Sequence, residues 1–385
     1  MIILAIETSC DDTCVAVLEI RNSKTELPFM ETKVKKRTKF SSPFEIRSNV
    51  VSSQVKLHAK YGGVYPFLAK KEHQKNLPIV LKRALKEAGN PKINLIAVTI
   101  GPGLELCLWT GINFAKELAE KMKLPIVPIN HIEAHILANF IGENSKLQIT
   151  NYKNIFPAIC LVVSGGHTQL ILMNPVRNRK SSNGVKKFGQ YKILGETRDD
   201  AAGECFDKAA RILGLGFPGG PIISTLAKKH RQKYTGRTRV FLPRPMIYQK
   251  NYDFSFSGLK TAVLYDFKKR SSKVRRSKKY IEEMCTETQQ AIIDVLIHKT
   301  LKVAKDYKAK SIILSGGVAA NTELRKQFQL TISNRQLAIN FLVPAKNFCT
   351  DNAAMVAIAG YFKWYKKKVW KKIKANANLK IDEKL

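Results

Sequence analysis

Two histidines four residues apart, His131 and His135, have the spacing in this chain that points most directly to chemistry. They follow the apolar run 124–129, which is predicted to be a buried strand. A helix beginning near Asn130 would place both imidazoles on one face, one turn apart. Neutral imidazole is a common ligand of zinc and iron, and two such rings need a further oxygen or sulfur donor. The pair therefore indicates either half of a metal site or an ordinary solvated helix.

The zinc-peptidase pattern His-Glu-x-x-His has the same histidine spacing, but its general-base glutamate directly follows the first histidine. Ile132 occupies that position here. Glu133 lies about 100° further round the helix, where it cannot take the role. The sequence therefore disfavours a metallopeptidase.

Two glycine-rich turns, 164–166 and 315–317, each read Ser-Gly-Gly and each follow an apolar run. Glycine leaves backbone N–H groups free to approach an anion because no side chain lies in the way. Either turn alone is more typical of a plain tight turn. Together with the polar turn Glu7–Thr13, they suggest a nucleotide held across a cleft, as in actin, the heat-shock ATPases and the sugar kinases.

These turns belong to an internal repeat of strand, small polar turn ending in threonine, and strand. The first copy runs from Ile2 to Leu18 and the second from Ala158 to Met173. Copies about 155 residues apart predict two α/β domains of similar topology, each opening with a β-hairpin whose tip faces a shared cleft.

Apolar periodicity predicts the remaining elements of the frame. Helices are expected over 77–88, 106–122, 203–213 and 281–307, and strands over 95–100, 124–129 and 311–314. Thr350 is typical of a helix N-cap, which would place Asp351 in the first turn of a helix ending near Phe362.

Charge is the strongest feature of the composition, with 66 Lys and Arg against 30 Asp and Glu, a formal charge of +36. Such an excess points to a polyanionic partner. Nucleic acid is favoured over a membrane because no amphipathic anchor or lipidation motif accompanies the charge. A lysine-rich proteome would give the same count without any such partner.

No apolar run approaches 18 residues, and the N-terminal run meets Glu7 too early for a signal peptide, so a soluble, cytoplasmic protein is expected. The seven cysteines include no Cys-x-x-Cys pair, so structural disulfides are not expected.

Two basic segments lack hydrophobic periodicity. Residues 21–48 are expected to be an inserted or edge segment, and residues 268–279, with eight Lys or Arg in twelve, a mobile loop rather than a packed element.

Nine blocks of sequence, in order from residue 6 to residue 355, resemble the bacterial tRNA N6-adenosine threonylcarbamoyltransferase family. They cover nearly the whole chain apart from the basic segments and the C-terminal tail. The blocks are Ile6–Thr13 (IETSCDDT), Gly101–Leu104 (GPGL), Asn130–His135 (NHIEAH), Val163–Leu170 (VSGGHTQL), Asp199–Lys208 (DDAAGECFDK), Pro218–Pro221 (PGGP), Phe254–Lys260 (FSFSGLK), Ser315–Asn321 (SGGVAAN) and Thr350–Met355 (TDNAAM).

The resemblance implies an actin-like α/β fold with two duplicated RNase H-like domains around a cleft for nucleotide and metal. The domains would be 1–129 plus 350–385, and 130–349. It also implies one metal ion per subunit, held by His131, His135 and Asp351. Iron is the metal expected from the family, and zinc suits the same ligands.

The resemblance further implies transfer of the threonylcarbamoyl group from threonylcarbamoyl-AMP to N6 of adenosine 37 in tRNAs that read ANN codons. Asp11 is the candidate for handling the proton or orienting the attacking amine. Ser224 stands where relatives often carry an aspartate near the ribose, so that contact is altered here. The other expected contacts of the adenylate are Val162, Val163, Ser164, Gly165, Gly166, Asp207, Gly220 and Asn321.

Two other functions share parts of the pattern. An actin-fold ATPase or sugar kinase would have the cleft but would not need the histidine pair, and a non-catalytic tRNA-binding scaffold would not need all three metal ligands. Bacterial members of the family act with a paralogous dimerisation partner and a small ATPase. Both are expected partners beside tRNA, and no membrane partner is expected.

Overall fold

Two five-stranded sheets form the frame of the molecule. The computed structural model describes residues 1–21, 44–141, 154–175, 189–234, 240–364 and 372–383. The first sheet holds β1 (Ile2–Glu7), β2 (Asp12–Ile20), β3 (Phe44–Ser53), β4 (Leu95–Gly101) and β5 (Ile126–Asn130). The second holds β6 (Ala158–Val163), β7 (Thr168–Asn174), β8 (Gln190–Glu196), β9 (Ser311–Ser315) and β10 (Asn340–Leu342).

The two sheets have the same topology. Their strand orders are β3-β2-β1-β4-β5 and β8-β7-β6-β9-β10. In each sheet the first three strands pair antiparallel, and the first, fourth and fifth pair parallel. The internal repeat read from the sequence is therefore confirmed, and the fold class is α/β.

Helices cover both sheets and fill the space between them. The helices before β6 are α1 (Val55–Ala59), α2 (Pro66–Glu87), α3 (Glu105–Met122) and α4 (His131–Leu137). After β8 come α5 (Ala202–Ile212), α6 (Gly219–Lys233), α7 (Ser257–Lys269), α8 (Ser272–Arg275), α9 (Lys278–Asp306), α10 (Thr322–Asn334) and α11 (Ala353–Lys363).

The alternation of side chains along β1 shows how the layers are built. Leu4 and Ile6 pack with α2 and α3 on the outer face of the first sheet. Ile3 and Ala5 face inward, into a core shared with α4, α11 and the inner face of the second sheet. The outer face of the second sheet is covered mainly by α5, α7 and α9. The middle layer therefore contains both α4, which carries the histidine pair, and α11, which follows Asp351.

Helix α11 begins later than expected, because Asn352 and not Thr350 is its N-cap. The Asn352 side chain accepts a hydrogen bond from the Met355 N–H at 3.1 Å. Asp351 therefore lies in the turn before the helix instead of in its first turn. The helix is buried over almost its whole length because sheets lie on both sides of it.

The prediction of an unpacked loop over residues 268–279 is wrong. Residues 268 and 269 end α7, residues 272–275 form α8, and α9 begins at Lys278. Ser271 and Ser277 cap α8 and α9 by accepting from backbone N–H groups three residues on, which supplies the helix starts that periodicity did not reveal. Of the other basic segment, residues 22–43 lie outside the described part of the chain, and Phe44 begins the edge strand β3.

All seven cysteines are free thiols, as expected. Within the part of the chain that the structure describes, no helix is long and apolar enough to cross a bilayer.

Candidate functional site

His131 and His135 lie together at the start of α4. Asn130 caps this helix by accepting from the Glu133 N–H at 3.1 Å, so the helix begins directly after β5 and turns both rings to one side. Their ring centroids are 4.6 Å apart. Oδ1 of Asp351 lies 3.1 Å from His135 Nε2 and 3.5 Å from His131 Nε2. The structure therefore brings together three ligand atoms, all within 4.8 Å of one another.

The second nitrogen of the His131 ring is held by Glu7, the last residue of β1. Nδ1 lies 3.0 Å from Glu7 Oε2 and 3.2 Å from the Ser9 hydroxyl. Glu7 is fully buried and also accepts from the Ser9 N–H at 2.5 Å and the Thr99 hydroxyl at 2.7 Å. Because a carboxylate only accepts, Nδ1 of His131 carries a proton, so Nε2, on the Asp351 side, is the nitrogen that would bind a metal. A carboxylate in this position is typical of a metal-ligating histidine.

Charges in this group are strongly coupled. Burial alone would lower the pKa of His131, but the Asp351 and Glu7 carboxylates outweigh it and raise that pKa to about 9. Burial opposes ionisation of Asp351, yet His131 and His135 hold its pKa well below the usual range. Burial also lowers the pKa of His135. Two carboxylates beside two imidazoles thus give an anionic site whose charge is reduced by protonation of His131 and would be balanced by a divalent metal cation.

The turn after β6 is the more open of the two glycine-rich turns. It is closed by the Ser164 N–H, which donates to the His167 carbonyl at 2.8 Å. Gly165 and Gly166 are exposed, and a Cβ added at either would have no atom within 4 Å. Burial, together with repulsion from His131 and His135, lowers the pKa of His167 to about 4. The charges of the candidate metal ligands therefore act on His167, and the two exposed glycines before it have open space around them.

Gly316, in the turn after β9, has a structural reason to be glycine. Its φ is +88°, and a Cβ there would lie 2.4 Å from the Val163 carbonyl oxygen. The Val162 and Val163 side chains are themselves fully buried, in the inner and outer cores of the second sheet. Only main-chain atoms of these two valines are left for a ligand.

Asp207 and Asn321 have structural partners that sequence reasoning missed. Asp207 accepts from the Gly219 N–H at 2.7 Å at the start of α6, and burial raises its pKa. Asn321 caps α10, and its amide donates to Gln289 on α9 at 2.7 Å. Gly220 and Ser224 follow on α6, both half-buried. Contacts of these four residues with a nucleotide stay predictions.

Asp11 lies in the turn between β1 and β2, half-buried, and its pKa is raised mainly by burial, with a contribution from the charge of Asp351. His73, which the sequence did not mark, holds this turn. Its Nε2 donates to the Cys10 carbonyl at 3.0 Å, and its Nδ1 accepts from the Thr13 hydroxyl at 2.8 Å. His73 thus ties the turn that carries Asp11, the candidate acid–base residue, to α2 through residues before and after Asp11.

Similarity to known proteins shows the family of this chain. The family model described as tRNA N6-adenosine threonylcarbamoyltransferase matches residues 45–358. Relatives given that name include one from Thermosipho africanus, 44% identical over 386 residues (99% of this chain, 100% of the relative), and one from Thermosipho melanesiensis, 45% identical over 365 residues (94% of each).

Among solved structures, full-length HypF in its phosphate- and nucleotide-bound form aligns with a TM-score of 0.52 at 10% identity, over 98% of this chain and 56% of that one. That likeness concerns the fold alone, and it agrees with the actin-like α/β fold that the family implies. The family match and the full-length relatives disfavour the ATPase, sugar-kinase and scaffold alternatives. The chain belongs to the tRNA N6-adenosine threonylcarbamoyltransferase family.

Proposed function

We propose that this chain transfers the threonylcarbamoyl group from threonylcarbamoyl-AMP to N6 of adenosine 37 in tRNAs that read ANN codons. The observation that carries the proposal is the combination of full-length family similarity with the group formed by His131, His135 and Asp351. His167, in the open turn after β6, interacts electrostatically with His131 and His135, so a nucleotide phosphate bound at that turn would have its reactive end near these residues.

The donor set fits one divalent metal ion. His131 and His135 each direct Nε2 toward Asp351 Oδ1, and Glu7 adds a second negative charge behind His131. Two imidazoles and a carboxylate suit iron or zinc. When bound by these ligands, the ion would act as a Lewis acid toward the carbamoyl carbonyl.

The open turn would hold the phosphate of the adenylate. The backbone N–H groups of Gly165 and Gly166 are the proposed donors, with main-chain atoms of Val162, Val163 and Ser164 beside them. Asp207 is the proposed acceptor for ribose hydroxyls, and Gly220, Ser224 and Asn321 are proposed to line the adenosine end. Since Asp207 and Asn321 already bond to the protein, both would meet the nucleotide in fixed orientations.

In the transfer step, N6 of the adenosine attacks the carbamoyl carbon. A carbon–nitrogen bond forms, the bond from that carbon to the phosphate oxygen breaks, and AMP leaves with the electron pair. The proton lost from N6 is assigned to the Asp11 carboxylate. Burial raises the pKa of Asp11, which makes it a better proton acceptor than an ordinary aspartate.

We also propose the setting in which the chain works. Its partners would be tRNA, the paralogous dimerisation partner and the small ATPase of the bacterial system, and its location the cytoplasm. The domains would be 1–129 plus 350–385, and 130–349. Support for this division comes from α11, which follows Asp351 and packs on β1, β2, β4 and β5 of the first sheet.

The test is direct transfer. Purified protein, supplemented with the partner proteins, is incubated with threonylcarbamoyl-AMP and an unmodified tRNA transcript, and the digested nucleosides are analysed by mass spectrometry. N6-threonylcarbamoyladenosine should form and should be absent from a transcript carrying guanosine at position 37. Failure to form it under these conditions, or equal modification of the guanosine transcript, would contradict the proposal.

A further inference from the structure

The junction between α7 and α9, residues 268–279, is hereafter called the basic junction. It carries eight cationic side chains, of which Arg270 pairs with Asp266 through two bonds of 3.1 and 2.9 Å. Within the described part of the chain, the other seven make no salt bridge. They are Lys268, Lys269, Lys273, Arg275, Arg276, Lys278 and Lys279. Six of the seven are exposed and Arg275 is half-buried, and none of them lies within salt-bridge distance of a described carboxylate.

Helical backbone and aromatic contacts fix the basic junction in place. The Arg275 guanidinium lies 5.7 Å from the Phe267 ring centroid, and the Lys279 ammonium lies 5.3 Å from that of Tyr234. Tyr234 directly follows α6, so the cationic surface continues onto that helix, where Lys228 and Lys229 are exposed. Because the backbone of the basic junction is helical and Arg275 and Lys279 rest on aromatic rings, this surface would lose less entropy on binding a polyanion than a mobile loop would.

The start of α9 makes the arrangement unfavourable without an anion. Lys278 and Lys279 occupy its first turn, and no acidic residue accompanies them there. The positive end of a helix dipole disfavours cations and favours anions. Two lysines at the start of a 29-residue helix are therefore placed where a bound phosphate would relieve the repulsion.

Helix α9 connects this surface to the cleft, so its residue spacing gives the distance between them. Gln289 of α9 accepts from Asn321, one of the proposed adenylate contacts, at 2.7 Å. Lys278 precedes Gln289 by eleven residues, which is about 16 Å along the helix axis at 1.5 Å per residue. An RNA stem-loop is longer than this distance, so an RNA with one base in the cleft would have backbone phosphates within reach of the basic junction.

We propose that the basic junction, together with the end of α6, binds the phosphate backbone of the tRNA whose adenosine is modified in the cleft. This rests on the proposed function for the identity of the RNA. The contacts would be to phosphates and would set the position of the stem without reading its sequence.

The experiment compares tRNA affinity at several salt concentrations for three proteins. One is the unaltered chain, and the second has the seven cations without salt bridges changed to glutamine. The third is a matched control in which seven exposed lysines on or near α1 and α2 are changed to glutamine: Lys56, Lys60, Lys71, Lys75, Lys82, Lys86 and Lys92. Both variants lose seven positive charges, so a difference in their tRNA affinity depends on where the charges lie and not on the net charge.

Each neutralised phosphate contributes about 0.7 to 0.9 to the slope of log affinity against log salt. If three to five of the seven side chains contact phosphates, the slope of the junction variant should fall by about 2 to 4.5 while the control stays near the unaltered protein. Metal content and threonylcarbamoyl-AMP binding should be unchanged in both. Equal slopes and affinities for the junction variant and the control would overturn the proposal.

Two further measurements, transfer activity and binding to phospholipid vesicles, distinguish failure of this inference from failure of the proposed function. If the unaltered protein transfers the threonylcarbamoyl group but only the control variant loses tRNA affinity, the RNA-binding surface lies elsewhere. That result would overturn this inference and leave the proposed function intact. Retained tRNA affinity in the junction variant, with lost binding to phosphatidylserine vesicles, would assign the surface to a membrane and overturn the proposal. Junction-dependent tRNA binding in a protein that transfers nothing would support the surface and contradict the function.

Discussion

Replacing Glu7 by glutamine tests the metal centre through a residue that is not itself a proposed ligand. The change preserves shape but converts one acceptor oxygen into an NH2 donor. Three donors converge on Glu7: the Ser9 N–H, the Thr99 hydroxyl and His131 Nδ1–H. Because the Ser9 backbone cannot lose its hydrogen, the remaining amide oxygen must face Ser9, and the NH2 must face His131.

The substitution changes which ring nitrogen of His131 carries the proton. With an NH2 group opposite, Nδ1 of His131 must accept, so the neutral ring holds its proton on Nε2, and Nε2 has no lone pair to offer a metal. Loss of such a supporting contact typically lowers metal affinity 10- to 100-fold. That range corresponds to about 1.4 to 2.7 kcal/mol of binding free energy.

Metal affinity is measured by competition with a chromophoric chelator, using zinc or ferrous ion, after circular dichroism has confirmed that the variant is folded. Thr99→Val is the matched control, since it removes one donor to Glu7 but leaves the carboxylate free to accept from His131. We expect Glu7→Gln to bind metal 10- to 100-fold more weakly and Thr99→Val to remain within a few-fold of the unaltered protein. A folded Glu7→Gln protein with unchanged affinity would refute the assignment of His131 as a ligand oriented by Glu7.

Three other predictions follow from the site. Asp351→Ala should lower both metal content and transfer without unfolding the protein, and elemental analysis showing full metal content would exclude Asp351 as a ligand. Gly166→Val should fold normally, since its Cβ enters open space, yet lose adenylate binding in calorimetry; Gly316→Ala should instead lose stability, by about 1 to 3 kcal/mol from backbone strain alone, in denaturant unfolding. Wild-type adenylate affinity in Gly166→Val would make that turn purely structural. Burial raises the pKa of Asp12 to about 7, above its value in the unfolded chain, so the protonated form favours folding at pH 4 and that contribution is lost as the pH rises to 7. The stability of Asp12→Asn relative to the unaltered protein should therefore increase from pH 4 to above pH 7, and a pH-independent difference would contradict the shift.

Local patterns in the sequence were sufficient to predict the main strands and helices. The two hairpins around Thr13 and Thr168 depend on short apolar runs and polar turns, and both form as expected. Helix α4 likewise begins at His131 because Asn130 caps it. Asp351 as third ligand required the family resemblance, because no local rule connects residues more than 200 positions apart.

The residues that sequence reasoning missed act through tertiary contacts. Glu7 ends a strand that is otherwise apolar, and that isolated carboxylate was the available signal, but its partner His131 comes from a different element. His73 looks like an ordinary helix residue until α2 packs against the turn that carries Asp11. The helical basic junction was missed because its order comes from serine caps and from rings on neighbouring helices, which leave no hydrophobic period.

The position of α11 has a consequence for synthesis of the chain. This helix fills the inner face of the first sheet, yet its residues are made after the whole second sheet. At about 5 to 20 residues per second, residues 131–352 take roughly 10 to 45 s to translate. For that time the inward side chains of β1, among them Ile3 and Ala5, lack the helix that covers them, and exposed apolar surface of this kind is prone to aggregation. A ribosome that stops before residue 353 releases a product with an uncovered apolar sheet face.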